Sequence, residues 1–136
     1  MRVLILGATG LLGNTIFRYF ASKTDLQVTG TLRNIKSLCY FAHQYHSRLL
    51  VNIDILNQKI LVSTFKQTRP ELVINCIGLV KQRPEANNPL LVLPINGTFP
   101  HRLNGLCENF SARLIHFSTD CVFSGKKGMY LSLIHI

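Results

Sequence analysis

The chain has 136 residues, 47% of them hydrophobic and 15% charged, with a formal net charge of +9. That balance describes one globular domain with a real core and excludes a disordered chain. No apolar run reaches membrane-spanning length, and Val3-Leu4-Ile5-Leu6 is too short for a secretory signal, so the expected address is the cytoplasm with no membrane partner.

Arg2–Leu6 reads as a first, buried strand. Gly7-Ala8-Thr9-Gly10-Leu11-Leu12-Gly13 follows at once, with GxxGxxG spacing. Leu11–Lys23 then reads as a helix with Leu12, Ile16, Phe17 and Phe20 on one face. Strand, glycine turn and helix in this order are what a dinucleotide phosphate site requires. The first glycine permits the tight turn, the second lets backbone approach the pyrophosphate, and the third lets the helix pack on the sheet. The helix start offers free N–H groups and a positive dipole end to the anion.

Gln27–Leu32 reads as a second strand, Ser37–Tyr45 as a helix and Arg48–Ile53 as a third strand. Asn57–Gln67 reads as a helix, ended by Arg69-Pro70. Leu72–Ile77 is a fourth strand, apolar on both faces except at Asn75. Pro89 and Pro94 interrupt the next region, Asn96–Asn109 is a long helix, and Ala112–Ser118 is a fifth strand. Continuous apolar strands alternating with helices predict a parallel sheet covered on both faces. The fold class is therefore α/β, a doubly wound, Rossmann-like parallel sheet, incomplete, with strand order 3-2-1-4-5.

Ligands of such sheets lie at the carboxyl ends of the strands, so those ends are the candidate site. Thr9, between the first two glycines, belongs to the phosphate turn. Arg33 follows the second strand, where an acid would hold a ribose 2′-hydroxyl; a guanidinium suits a 2′-phosphate instead. NADPH is favoured over NADH, which stays open. Asp54, followed by Ile55, ends the third strand and can accept from an adenine amino group or cap the next helix. Cys76, Ile77 and Gly78 end the fourth strand, where small residues let backbone run along the coenzyme riboses. Phe117, Ser118, Thr119 and Asp120 end the fifth. Hydroxyls there can bind a substrate carbonyl oxygen, or Thr119 and Asp120 can serve a turn.

The cations are scattered, with only Lys126-Lys127 paired and no aromatic interleaving, which argues against a nucleic-acid partner. A field drawing in an anionic coenzyme and substrate accounts for the sign. Cys39, Cys76, Cys107 and Cys121 show no CxxC spacing and read as reduced, buried thiols. His43 and His46 lack the companions a metal site needs, so no metal is expected.

The glycine turn, Ile74-Asn75-Cys76-Ile77-Gly78-Leu79-Val80-Lys81-Gln82, Leu93-Pro94-Ile95-Asn96 and Phe117-Ser118-Thr119-Asp120-Cys121-Val122-Phe123-Ser124-Gly125 together resemble the extended short-chain dehydrogenase/reductase family. More closely, they resemble sugar-nucleotide reductases of the dTDP-4-dehydrorhamnose reductase type. The resemblance covers about Met1 to Tyr130, read as the N-terminal part of an NAD(P)-binding Rossmann domain. It implies transfer of hydride from NADPH to the 4-keto carbon of a nucleotide-linked deoxysugar. It places Gly10, Leu11 and Leu12 at the pyrophosphate, Cys76, Ile77 and Gly78 along the coenzyme wall, Phe117 beside the nicotinamide, and Thr119 on the keto oxygen. It allows a homodimer for a full-length protein.

The family's Tyr-x-x-x-Lys proton donor is missing: Tyr130 is followed four residues on by Ile134, and Tyr19–Lys23 has the spacing but lies on the first helix, on the wrong side of the sheet. This chain alone is therefore expected to be inactive as a reductase. A non-catalytic NAD(P)-binding module, or an epimerase or dehydratase of the same superfamily, are the alternatives. Leu131-Ser132-Leu133-Ile134-His135-Ile136 fits nothing in the family. The string CTGTCTCTTATACACATC, a transposase adapter end, encodes those six residues, and 131–136 is expected to be a non-native tail.

Overall fold

The structure is a computed structural model that describes residues 1–80 and 84–117. Five parallel strands form one sheet in the order β3-β2-β1-β4-β5, the predicted doubly wound arrangement. They are β1 (Arg2–Leu6), β2 (Gln27–Thr31), β3 (Leu49–Leu50), β4 (Leu72–Asn75) and β5 (Arg113–His116). The helices are α1 (Leu11–Ala21), α2 (Gln58–Thr68), α3 (Pro89–Val92) and α4 (Phe99–Asn109).

β1 is central and buried on both faces, and its alternate side chains feed two cores. Val3 and Ile5 join Phe17 and Ala21 of α1, Val28 of β2 and Ile74 of β4 on one face. Leu4 and Leu6 join Leu61 and Phe65 of α2 and Phe99, Leu103 and Leu106 of α4 on the other. The register brings Val3 beside both Val28 and Leu72, so apolar rows run unbroken across the sheet. Burying a side chain such as Phe65 is worth roughly 1.5–3 kcal/mol.

The β2–β3 crossover departs from the expected Ser37–Tyr45 helix. Two 3₁₀ segments, Ile35–Tyr40 and His43–Arg48, are separated by extended backbone at Phe41 and Ala42. Of residues 37–45, only Leu38, Ala42 and Gln44 are strong helix formers, so local preference does not sustain a continuous helix. Tertiary contacts set the path instead. Phe41 and Tyr45 both stack edge-on against Phe17, with ring centroids 5.5 and 5.8 Å away. β3 is also shorter than Arg48–Ile53, because Asn52 adopts a left-handed φ of 59° and breaks the ladder. The bond from Ile53 N–H to the Leu32 carbonyl (3.0 Å) resumes the pairing beyond it.

The expected interruption at Pro89 and Pro94 is absent, and helical structure runs from Pro89 to Asn109. Pro89 stands at the first helical position, where no N–H is needed. Pro94 lies in a π-helical stretch, Leu93–Thr98, whose wider turn accommodates the ring; Phe99 N–H closes it on the Pro94 carbonyl. α2 ends at Arg69, left-handed at φ 42°, immediately before Pro70.

Cys107 is buried and Cys76 half-buried, and burial pushes both thiols up to about 11; Glu108 adds to the effect at Cys107. Cys39 is exposed, contrary to the expectation of uniformly buried thiols, because the 3₁₀ segment turns it outward. In the folded chain at about pH 8, iodoacetamide is therefore expected to modify Cys39 and spare Cys76 and Cys107. Mass spectrometry of the labelled peptides reads this, and modification of all three at one rate contradicts it.

Gly13 packs its α-carbon against the β1–α1 turn. A Cβ there would collide with the Gly7 carbonyl oxygen and come within 2.9 Å of the carbonyl carbon. Backbone cannot retreat as a side chain can, so Gly13→Ala is expected to cost about 3 kcal/mol in urea denaturation.

Candidate functional site

β1 and β4 are neighbours whose crossovers leave on opposite faces of the sheet, which opens a crevice beyond their carboxyl ends. The glycine turn forms one lip. Gly7 is left-handed at φ 81°, and a Cβ on it would stand 2.5 Å from Cγ1 of Ile77. Gly7 N–H donates to the Thr31 hydroxyl oxygen (3.2 Å), and Ala8 N–H to the Thr31 carbonyl (3.1 Å). The tip of β2 thus supports the turn through a threonine that sequence reasoning treated only as part of a strand. Thr31 is buried at the strand end, where its hydroxyl finds the Gly7 N–H.

Gly10 differs from its two companions. It is the N-cap of α1 in ordinary extended geometry, and a Cβ on it would meet nothing nearer than the Gly7 oxygen at 3.7 Å. The fold itself does not demand a glycine there. The cap has no side-chain oxygen and the first turn has no acidic residue, so no side chain caps the N–H groups of Leu11, Leu12 and Gly13. Leu11 is 91% exposed and Leu12 42%, so both lie on the open side of the turn, as does exposed Thr9. A bare, uncharged N-terminus with room for close backbone approach fits a diphosphate.

Arg33 is exposed just past β2, after buried Leu32. Asn34 beside it caps the following 3₁₀ segment through Lys36 N–H (2.8 Å). Asp54 is exposed, and its Oδ1 accepts from Leu56 N–H (3.0 Å) in a tight turn. It does not cap α2; Asn57 does, through Lys59 and Ile60 N–H. The Ile55 side chain is buried in the core with Leu4 and Leu6, leaving only its backbone for a ligand.

The opposite lip is Cys76, Ile77 and Gly78. Cys76 N–H continues the ladder to the Leu6 carbonyl (3.0 Å), and Ile77 N–H donates to Asn75 Oδ1 (3.0 Å). Gly78 is exposed, and a Cβ on it would meet Asn96 Oδ1 at 3.8 Å. Asn96, in the π-helical stretch, grips the Leu79 backbone with two bonds, accepting from its N–H and donating to its carbonyl, both 2.8 Å. The sequence places Asn96 at the start of a helix, and nothing local in it marks this clamp. Phe117 follows β5 and is 44% exposed. Thr119 and Asp120 lie outside the described residues, as does the 131–136 tail.

The structure thus brings the glycine turn, Thr31, and Cys76–Gly78 together, with Arg33 and Asp54 on the strand ends beyond. Tyr19 and Lys23 do not join them: Lys23 Nζ sits 4.7 Å over the Tyr19 ring on the surface of α1, an ordinary cation–π pair. A cavity of about 590 Å³ lies at the other end of the sheet, lined by Arg2, Lys66, Arg69, Pro70, Glu71, Phe110 and Ser111. There the carbonyl ends of α2 and α4 converge, and the cations offset those dipoles.

Solved structures share this architecture. A hypothetical dTDP-4-dehydrorhamnose reductase from Sulfolobus tokodaii superposes with a TM-score of 0.76 at 21% identity, covering 98% of this chain and 44% of that one. A dTDP-4-dehydrorhamnose reductase from Bacillus anthracis in complex with NADP superposes at 0.67 with 23% identity, covering 93% and 39%. In sequence, the chain is 28% identical over 126 residues to a Haloferax volcanii protein named "Probable low-salt glycan biosynthesis reductase Agl14", covering 93% of this chain and 39% of that protein. The chain therefore spans about two fifths of the length of these relatives. The family described as RmlD substrate binding domain matches residues 1–132, and the chain belongs to that family.

Proposed function

We propose that this chain is the coenzyme-binding half of an NADPH-dependent reductase acting on a 4-keto nucleotide-linked deoxysugar. The observation that carries the reading is Gly10, a glycine the fold does not need, set at the mouth of an uncapped helix. Membership of the RmlD family and the reductase names of its relatives support the same class.

In this reading the amides of Leu11, Leu12 and Gly13 hold the diphosphate while Gly7 and Gly13 keep turn and helix in contact. Arg33 pairs with the 2′-phosphate, and Asp54 or the Ile55 backbone meets the adenine edge. Cys76–Gly78 lies along the riboses, and Asn96 holds Leu79 against that wall. The raised thiol keeps Cys76 protonated and apolar there, so it supplies shape rather than chemistry. Phe117 flanks the nicotinamide. Thr119 donates to the keto oxygen and Asp120 contacts the sugar. The bound nicotinamide supplies the hydride. No Tyr-x-x-x-Lys pair follows Thr119 within these 136 residues, so the chain alone binds coenzyme without turnover.

Gly10→Ala is expected to change folding stability by less than about 1 kcal/mol, as at other helix caps, while calorimetry shows NADPH affinity falling at least tenfold. Equal affinity in the variant removes the central observation. Arg33→Ala is expected to weaken NADPH by about tenfold, one charge-assisted bond, and to leave NADH within about twofold. A parallel loss for both coenzymes places Arg33 elsewhere than at the 2′-phosphate. Incubation of the 136-residue chain with NADPH and a 4-keto nucleotide sugar is expected to leave absorbance at 340 nm unchanged; steady oxidation contradicts the assignment of a missing proton donor.

A further inference from the structure

We propose that His116 is a positioning residue: acting through Asn75 and only as a neutral imidazole, it holds the coenzyme wall. The consequence for binding rests on the coenzyme reading above; the geometry does not.

Asn75 ends β4, is 1% exposed, and stands opposite His116 in the β4–β5 register. Ile77 N–H is a donor, so the atom 3.0 Å from it must be the amide oxygen. That fixes the orientation of the amide and turns Nδ2 toward His116 Nδ1, 3.0 Å away. An amide NH₂ only donates. Nδ1 must then carry its lone pair, and the ring proton sits on Nε2. A doubly protonated ring would set N–H against N–H and break the contact.

Few neighbouring charges bear on this choice. β4 carries no titratable side chain between Leu72 and Asn75. α4, which packs on β5, carries His101, Arg102 and Glu108; Arg102 is bonded to Gln58 and Glu108 to Asn104. Arg113 is exposed at the far end of β5. Among the described residues no carboxylate is paired with His116 to favour a charged ring.

The contact matters because of what Asn75 holds on its other side. Ile77 is fixed by the Asn75 oxygen, and its Cγ1 occupies the space a Cβ of Gly7 would take. One amide thereby links the tip of β5, the wall after β4, and the phosphate turn. Releasing Nδ2 frees the amide to rotate, and Ile77 loses its acceptor. Coenzyme affinity then depends on the protonation state of a ring that need not touch the coenzyme.

The test measures NADPH affinity from about pH 8 to about pH 5.5 for the wild-type chain, His116→Asn and His116→Ala. In His116→Asn the side-chain oxygen stands near the Nδ1 position and does not titrate. Its series also carries the titration of the coenzyme's own phosphate. The wild type is expected to lose about fivefold more affinity than His116→Asn over that range, one neutral hydrogen bond's worth. His116→Ala is expected to bind about fivefold more weakly than wild type at the upper pH, with His116→Asn restoring it. Nitrogen-15 NMR of the wild-type histidine rings reads the tautomer directly, with no coenzyme present. A proton found on Nδ1, a pH series in His116→Asn that parallels wild type, or full affinity in His116→Ala each overturns the proposal. No NADPH binding by any variant at any pH overturns the coenzyme reading and the positioning role together. Binding with the wrong pH pattern overturns the positioning role alone.

Discussion

The contact between Gly13 and the carbonyl of Gly7 is the constraint on which the rest of this structure depends. It allows the first turn of α1 to sit directly on the end of β1, with no side chain between. From that start α1 runs down the sheet with Phe17 and Ala21 against Val3, Ile5 and Val28. Gly7, Thr31 and Ile77 then brace the turn from β1, β2 and β4 in turn. A fold built this way sets its open backbone donors at its tightest backbone junction, where backbone geometry, not side-chain rotamers, fixes their positions.

Charge in this chain serves association more than stability. The ion pair found among the described residues, Arg2–Glu71 at 3.5 Å, is half-exposed and lies at the sheet end remote from the crevice. Surface pairs of that kind add little. The Glu71 carboxyl is held below its usual range, chiefly by the Arg2 backbone N–H; desolvation opposes this, and the Arg2 and N-terminal charges add smaller lowering effects. Between Asp25 and Asp54 the sequence holds no carboxylate, and that stretch includes Arg33, Lys36 and Arg48. It contains β2, both 3₁₀ segments and β3, so this stretch carries only positive side-chain charge until Asp54 follows it. Such a field raises the encounter rate with anionic ligands while contributing nothing to the packing of the core.

The strand order and the glycine turn were legible because each rests on a local rule: continuous apolar runs for buried parallel strands, and glycine where backbone must meet backbone. What escaped the sequence was set by contacts distant in the chain. Residues 37–45 have apolar spacing that a helix would also show, yet the edge-on stacking of Phe41 and Tyr45 on Phe17 decides their path. Asn52 ends β3 by a backbone angle that few residues adopt and that no apolar pattern signals. Pro94 reads as a breaker, but a π-turn has no use for the N–H it lacks. Of the candidate site, the glycines and Cys76–Gly78 were readable. Thr31, Asn75 and Asn96, which hold those segments in place, were not, since a single polar residue at a strand or helix end has many possible partners.

Asparagine recurs where backbone near the crevice needs a side-chain acceptor, beside Thr31 and Asp54. Asn34, Asn57 and Asn88 each cap a helical segment that begins beyond a strand's carboxyl end. Asn75 and Asn96 tie down the wall after β4. At a helix cap aspartate serves about as well as asparagine, so capping alone does not explain the choice. Each of these positions lies on the same edge of the sheet as the phosphate turn, because helices that follow parallel strands all start there. An aspartate at any of them would set a negative charge on the edge that carries the open N–H groups of α1. Asparagine supplies the same carbonyl oxygen with no charge, and at positions 75 and 96 it adds an N–H donor that aspartate lacks. These five neutral acceptors leave Asp54, which accepts from Leu56 N–H after β3, as the carboxylate among the described side-chain acceptors on this edge.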